Sequence, residues 1–595
     1  MKKPTRHRNR SSGSLAGAGG SSVNDYNLTR RTFLSTTSAL AVAALVRPAF
    51  AAGMTERRKV DVCVYGGTSG GVIAAVALAK MGRAVLLIEP TRHLGGLTSG
   101  GLGLVDFGVA STIGGLTQQY FAAVREHYSK QGIDTDGWHL EPHVAELIFD
   151  QWIAEHHVEV VREARLASIK KDGRRIRSVT LDKAPPDHRG APAAVALERE
   201  FLDVDAAMFI DCSYEGDLLG LAGVTHRTDR EGREEFGESL AGVRLSSGSS
   251  GELRIGPVDP YVRRGDAGSG LLPLISAGSF GEEGAPSPIT QPFNFRLCLT
   301  RSEPIAIAPP ADYRAERYEL VRRFFAAYAA IGEPVWEGDL YWKFGHENRY
   351  GHPRIFKIVK LLNGKTDMNN GGLLSTDYIP GDAPRYAHAT WAERARIWHA
   401  HEDYVRGLFT FLRTDERLPE FLRRELTPWG LPRDEFLDTG GWPNQLYIRE
   451  ARRMVGSFVI DQHECMHPRR AGESIGFASY ALDSHTCRRL VKGGVIVSEG
   501  GFNQRVKKPY PLPYSIIVPR EQECENLLVP FCVSSTHVAF SSVRMEPPFM
   551  IMSESAAFAA DQALRENRSV QRINIGQLRQ RLRDAGQVVP AAICG

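Results

Sequence analysis

The clearest alternation of apolar and polar positions lies at residues 60–89. A short apolar run at 60–65 predicts a buried strand, an Ala/Val/Ile-rich stretch at 70–82 predicts a helix, and "AVLLIE" at 84–89 predicts a second buried strand. That order predicts parallel pairing of the two strands. Residues 158–182 read as extended segments turning at Asp172-Gly173, and 203–223 as a buried strand running into a helix. Residues 244–289 are rich in Ser, Gly and Pro and read as irregular, which marks a boundary. Between 290 and 440, aromatic-rich extended pieces alternate with an amphipathic helix pattern around 391–413. The chain then returns to an apolar strand at 525–535 and a small-residue helix at 547–564, and no internal repeat is visible.

At 595 residues, with 42% hydrophobic and 24% charged positions, the chain is long enough for two or three globular domains. Its formal charge of +4 is misleading, because residues 1–51 carry eight Lys or Arg and one Asp. The remainder holds 65 basic and 68 acidic residues, a net charge of −3. No basic face for nucleic acid is indicated. The leading segment "LTRRTFLSTTSALAVAALVRPAFAA" combines Arg30-Arg31, a short apolar run and an Ala49-Phe50-Ala51 cleavage pattern, and it resembles a bacterial twin-arginine export signal. Its apolar run falls short of the roughly 20 residues a bilayer span needs, so no permanent anchor is expected. The eight cysteines lie scattered, without the spacing of a disulfide framework.

The turn between the first strand and helix reads Gly66-Gly67-Thr68-Ser69-Gly70-Gly71. It follows the dinucleotide-binding pattern Gly-x-Gly-x-x-Gly, except that Thr68 stands where a glycine lets a pyrophosphate approach the backbone. Thr68 and Ser69 are expected to compensate with hydroxyl donors at the helix N-terminus. Glu89 closes the second strand 23 positions after Gly66, near the spacing of the acid that accepts ribose hydrogen bonds. A second glycine-rich loop follows in "EPTRHLGGLTSGGLG", "FIDCSYEGDLLGLAG" puts small and acidic residues at a strand end, and "SSVRMEPPFMIMSESAAFAA" opens the late helix.

With "QPFNFRLCLT", "NGKTDMNNGGLLSTDYI", "QLYIREARRMVG", "SIGFASYALDSH" and "ECENLLVPFCVSSTHVAFSSVRMEPPFM", these stretches resemble a family of bacterial FAD-dependent oxidoreductases of the glutathione-reductase-like flavoprotein superfamily. The likeness extends over nearly all of residues 60–565. It implies an α/β fold: a Rossmann-like FAD-binding domain, with a parallel sheet and a βαβ start, interrupted by a mixed α+β substrate or cap domain. The expected order is an export signal and disordered N-terminus at 1–52, the first part of the FAD-binding domain at 58–240, and the inserted cap at 241–440. The FAD-binding domain with its flavin-side helix then returns at 441–565, before a C-terminal tail at 566–595. The resemblance implies FAD held by Gly66, Gly67, Thr68, Ser69, Gly71, Glu89, Gly95, Gly96, Leu97, Thr98, Ser99, Asp211, Glu215, Arg544 and Met552. One departure stands out: the family's closing helix tends to begin G-x-A-A-G, whereas this chain reads Met552-Ser553-Glu554-Ser555-Ala556.

A flavin performs the electron chemistry while the protein supplies positioning and a proton route. His537 is a candidate general base and Arg544 a candidate for stabilising negative charge, with a loop-to-helix tie as the alternative for both. Arg449 and Arg453 would share a helix face at i, i+4, as an anion clamp or a salt-bridged surface. His485, in a family-like "DSH" stretch, is a further catalytic candidate. His463, Cys465, His467, His485 and Cys487 are of metal-ligand type, but their spacing is not that of a standard structural site, and no metal is expected. Trp342, His346 and Tyr350 are candidates for a sugar-stacking face. These readings describe an exported, periplasmic FAD enzyme taking hydride from a small polar or polyhydroxylated substrate. Its partners would be that substrate, the twin-arginine export machinery and an unidentified electron acceptor. A redox-neutral lyase or isomerase, or a binding protein that keeps the flavin fold, are the alternatives.

Overall fold

The computed structural model describes residues 55–247, 258–330, 356–371 and 374–590. The segment expected to be an export signal and Trp342, His346 and Tyr350 lie outside the described residues. The 60–89 pattern becomes β1 (Glu56–Tyr65), α1 (Ser69–Lys80) and β2 (Val85–Glu89). Side chains alternate across β1: Val62 and Val64 pack into the core on the α1 side, while Cys63 and Tyr65 join the core on the opposite face. α1 is buried from Ser69 to Leu78. Its near-uniform apolar surface follows, since it has core on both sides rather than one wet face.

The main sheet also contains β3 (Glu159–Arg162), β4 (Ala164–Asp172), β5 (Arg175–Lys183) and β6 (Glu198–Asp211). Strands β3, β2, β1 and β6 lie side by side and parallel, with Tyr65 level with Ile88 and Asp211. Their carboxyl ends therefore finish in one row. β4 and β5 form the hairpin predicted at Asp172-Gly173, and β5 pairs antiparallel with the first half of β6. The end of β6 pairs in parallel with β7 (Leu527–Leu528).

The apolar run at 525–535 is thus a strand over only two residues. Pro530 lacks an N–H for a ladder. The flanking amides turn to another segment, Val529 N donating to Ile517 O at 2.9 Å and Ser534 N to Ile516 O at 2.7 Å.

Two further helices, α2 (Gly115–Ser129) and α3 (Pro142–Glu155), bury Tyr120, Phe121, Phe149 and their neighbours in the core beside α1. A separate aromatic core gathers Phe295, Leu297, Trp398, Phe409 and Trp442. It lies between a three-stranded antiparallel sheet (Leu297–Thr300, Lys365–Asn370, Phe356–Lys360) and α4 (Trp391–Thr414). α4 starts where sequence predicts it, at a reciprocal cap in which Thr390 and Glu393 satisfy each other's backbone amides.

The closing elements are α5 (His537–Val543), α6 (Glu546–Glu566) and α7 (Ile575–Asp584). The stretch expected as a tail after 566 therefore carries a helix, and it docks because Leu578 and Leu582 enter the main core. Residues 448–452 are not helical, contrary to the shared-face reading of Arg449 and Arg453. The backbone there is irregular until Arg453–Met454, which pairs with His226–Arg227. Among the described residues no helix is long and apolar enough to cross a membrane.

Candidate active site

A cavity opens at the carboxyl ends of β1, β2 and β6, where Tyr65, Gly66, Thr68, Glu89, Gly96 and Glu215 contribute to its wall. Crevices at this end of a parallel sheet are where nucleotides bind. Gly66 holds φ +96, and a Cβ there would lie 2.7 Å from the Cys212 carbonyl carbon, so the turn must be glycine to reach β6. A Cβ on Gly71 would fall 1.8 Å from Gly66 O. Both ends of the turn are therefore fixed by backbone contact.

The hydroxyls of Thr68 and Ser69 do not serve as expected. Thr68 Oγ1 donates to Cys212 O at 2.9 Å and accepts from Gly71 N at 3.2 Å, so it caps α1 and ties the turn to β6. Ser69 Oγ donates to Glu546 at 2.5 Å. What remains for an anion is backbone: Ser69 N–H faces Gly95 O in the bridge between the two glycine loops, whereas the N–H of Gly70, in the first turn of α1, has no backbone acceptor among the described residues.

Glu89 closes β2 as predicted, and its two oxygens accept from Gly67 N and Thr91 N, each at 2.6 Å. Burial pushes its carboxyl above the ordinary range, and those amide bonds oppose the shift. Each oxygen keeps a lone pair for a hydroxyl donor.

The second glycine loop docks directly on the first, Gly95 N donating to Gly67 O at 2.8 Å. Beyond it, Glu546 accepts from three hydroxyls, those of Ser69, Thr98 (2.9 Å) and Tyr214 (2.8 Å), with no cation paired to it among the described residues. Tyr214 in turn accepts from Leu97 N at 2.8 Å. Ser99 donates back to Leu94 O at 2.5 Å and only shapes the loop. Asp211 is fully buried, accepts from Ser213 and Leu219 N, and shapes the turn after β6; burial raises its carboxyl to about 6. Met552 sits well inside α6, which begins at Glu546, and is buried in the core. Ser553 faces α1 instead, and a Cβ on Gly70 would lie 2.3 Å from its Oγ.

Two residues before Glu546, Arg544 donates to Tyr447 Oη at 2.6 Å and to Asp483 O at 2.9 Å. Next to Asp483, His485 Nδ1 lies 2.6 Å from Asp377 Oδ2, and Arg449 pairs with the other Asp377 oxygen at 2.9 Å. Burial and the Arg449 guanidinium hold the His485 imidazole below its usual range, while Arg449 and His485 lower the Asp377 carboxyl against its burial. His485 is therefore neutral at pH 7 with Nδ1–H donated to Asp377, leaving Nε2 as a base. Nε2 points to the Asp483 side, 4.0 Å from that carboxylate.

His537 has a different setting. It is the first residue of α5, is buried, and engages Glu450 through Nδ1 at 2.8 Å and Ser484 through Nε2 at 3.2 Å. Glu450, also paired with Arg453, is held down to about 2 despite its burial, with His537 the strongest opposing influence. Both His537 nitrogens are occupied within the fold.

Of the candidates named from sequence, the structure brings His485 and Arg449 together on Asp377, with Arg544 bonded to Asp483 O, and sets Gly66, Thr68, Glu89, Gly96 and Glu215 around one cavity. Sequence reasoning missed Asp377, Tyr447 and Tyr214. Asp377 lies in "LLSTDYI", more than 100 residues from His485, and only the packing brings them together. The metal-type residues do not converge: His463 contacts Gly237 O at 3.2 Å and Cys465 is buried. Among the described residues one such group, Glu141, His143 and Asp434, does converge, and Lys365 Nζ lies 2.7 Å from both acids.

A family model described as FAD dependent oxidoreductase matches residues 61–582. No curated protein matches the chain. Among solved structures, AlpK aligns at 17% identity over 34% of this chain and 40% of its own, with a TM-score of 0.21. Anhydrotetracycline hydroxylase OxyS from Streptomyces rimosus gives 15% over 32% and 40%, at 0.20. The 3-ketosteroid-delta4-(5alpha)-dehydrogenase of Rhodococcus jostii gives 14% over 29% and 50%, at 0.18. Each match spans half or less of the structure it aligns to.

Proposed function

The chain belongs to the family of FAD-dependent oxidoreductases, and on that premise we propose that it is an exported dehydrogenase or oxidase acting on a small polar, polyhydroxylated substrate. In this reading the 60–89 unit is Rossmann-like and of the glutathione-reductase-like type, and residues 241–440 form the cap. The residues at the strand ends suit FAD. Glu89 offers lone pairs for ribose hydroxyls, the Gly70 amide at the N-terminus of α1 suits the pyrophosphate, and a Cβ at Gly66 or Gly71 would destroy the cradle. Glu546, two residues after Arg544, is bonded to Ser69 of this cradle and to the Thr98 and Tyr214 hydroxyls. That row of polar groups supports a cofactor running from β1 toward α6. The leader at 1–52, with Arg30-Arg31, supports export to the periplasm.

The observation that carries the reaction is the Asp377–His485 pair. When bound, FAD supplies the two-electron acceptor for a hydride from substrate carbon. His485 Nε2 takes the hydroxyl proton of that same carbon centre, and Asp377 holds the ring and stabilises its charge once the proton has arrived. Asp483 and Asp106, both partly exposed, accept further hydroxyls of a polyhydroxylated substrate. Tyr480, which donates to Asp106 at 3.1 Å, positions one of them.

Anaerobic mixing of the holoenzyme with sugars, polyols and hydroxy acids tests this reading. Bleaching of the flavin absorbance by a member of the panel, abolished in His485→Asn, is expected. Product formed without bleaching would replace the dehydrogenase by the redox-neutral lyase reading.

A further inference from the structure

The Asp377–His485 pair belongs to a closed ring of side chains, and Tyr447 stands on that ring with no part in the chemistry so far. Arg449, which holds Asp377 at 2.9 Å, stacks on Tyr447 with its guanidinium carbon 4.6 Å from the ring centre. Arg544 donates to the Tyr447 hydroxyl at 2.6 Å and, through its other terminal nitrogen, to Asp483 O at 2.9 Å. His485 Nε2 lies 4.0 Å from the Asp483 carboxylate, which closes the ring. Tyr447 is fixed in place through its backbone, its N–H donating to Asn294 O at 2.9 Å.

Two groups on this ring keep unused capacity. The half-buried Tyr447 hydroxyl accepts from Arg544, and its own proton has no acceptor among the described residues. Arg544 is only 4% exposed, yet both terminal nitrogens bond neutral oxygens and its Nε has no partner. No carboxylate lies within ion-pair distance of it among the described residues. A buried guanidinium without a counter-charge makes the phenol it donates to a stronger donor, and favours negative charge just beyond that phenol.

Resting on the dehydrogenase reading given above, we propose that Tyr447, backed by Arg544, is a catalytic residue that holds the reacting oxygen opposite His485, and that the bond oxidised is a carbinol C–H rather than an amine C–H. A hydroxyl offers one proton and two lone pairs at a single atom. The proton goes to His485 Nε2 and a lone pair accepts from Tyr447. The pair left by the O–H bond forms the second carbon–oxygen bond as the carbinol C–H bond breaks and its electrons leave as hydride to FAD. The alcohol loses two electrons and becomes a carbonyl, and FAD gains them. Charge building on the oxygen faces the phenol and the guanidinium behind it. A neutral amine has a single lone pair, which the phenol would tie up just when it is needed to expel the hydride.

The test is anaerobic stopped-flow bleaching of the holoenzyme with the panel of sugars, polyols and hydroxy acids, to which matched amino acids are added, alanine beside lactate and serine beside glycerate. Bleaching by hydroxyl compounds and not by their amino counterparts is expected. In Tyr447→Phe, which keeps the ring on Arg449, the limiting rate with the bleaching compound should fall by about 10²-fold, the effect of losing one donor to a developing oxyanion, while the half-saturating concentration moves by less than about threefold. Arg544→Lys, which keeps the charge and loses the fork, should slow the same step by about tenfold. FAD dissociation constants, read by flavin fluorescence, should stay within about threefold of the parent chain in both.

An unchanged bleaching rate in either variant would overturn the role of the pair, and a loss of FAD affinity without a loss of rate would assign it to holding the cofactor instead. An amino acid bleaching as fast as its hydroxy-acid counterpart would overturn the carbinol assignment. Bleaching by no member of the panel would overturn the dehydrogenase reading and this inference with it.

Discussion

Thr68→Val is a sharp test of how the dinucleotide turn is built, because it removes one hydroxyl while keeping the side chain's shape. Thr68 Oγ1 donates to Cys212 O at 2.9 Å and accepts from Gly71 N at 3.2 Å, and Thr68 itself is only 5% exposed. Losing the cap on α1 costs about 1 kcal/mol. Leaving the Cys212 carbonyl without its donor adds about 1–3 kcal/mol in a buried setting. The expected loss is thus about 2–4 kcal/mol, several times the effect of an ordinary surface change. The turn also loses its tether to β6, so FAD affinity is expected to fall by about tenfold or more, the equivalent of one such hydrogen bond. Urea midpoints measured with saturating FAD and without it separate the two losses. Thr68→Ser, which keeps the hydroxyl, should restore most of both. A valine variant within about 0.5 kcal/mol of the parent chain and fully yellow would refute the assignment of Thr68 as cap and tether.

Three further outcomes are expected. Asp377→Asn replaces an acceptor-only carboxylate by an uncharged amide that can also donate, so it neither fixes the His485 tautomer nor stabilises the charged ring, and kcat should fall by about 10²–10⁴ with KM much less affected, read by anaerobic stopped-flow absorbance. His401 is buried with Nδ1 on Ile397 O, and burial lowers its imidazole from 6.5 to about 4. The unfolded chain then binds the extra proton first, so stability falls as pH drops from 6.5 toward 4, by about 1.4 kcal/mol per unit at most. A urea series across that window should show the decline flatten in His401→Gln. Glu554 accepts from Leu116 N and Gln587 on a buried face of α6, and burial raises its carboxyl to about 7. A raised acid destabilises the fold as pH rises from the unfolded value through 7, so Glu554→Gln should increase the melting temperature at pH 8 more than at pH 5, and an equal shift at both would count against it.

Local elements were legible in the sequence because short-range rules govern them. Apolar periodicity gave β1, α1, β2, the β4–β5 hairpin and α4, whose start the structure fixes with the Thr390/Glu393 cap. The spacing from Gly66 to Glu89 placed the dinucleotide acid at the strand end it occupies. Where backbone choices depend on distant partners, the reading failed. Residues 525–535 look like one strand, but Pro530 and the acceptors at 516–517 divide it. Residues 448–453 look helical, yet their arginines are drawn apart, Arg449 to Asp377 and Arg453 to Glu231 and Glu450.

The motifs by themselves determined a dinucleotide-binding turn on a parallel βαβ unit, because close backbone approach leaves only glycine there, and the resemblance to a family implied FAD. Only the tertiary structure decided which side chains do which work. Thr68 and Ser69 carry hydroxyls that sequence assigns to phosphate, and the fold spends them on Cys212 and Glu546. His537 and His485 are alike as residue types, but His537 has both nitrogens bound inside the core while His485 has one held by Asp377 and one left as a base. A side chain's chemistry is fixed by its type, and its availability by burial and partners that packing alone supplies.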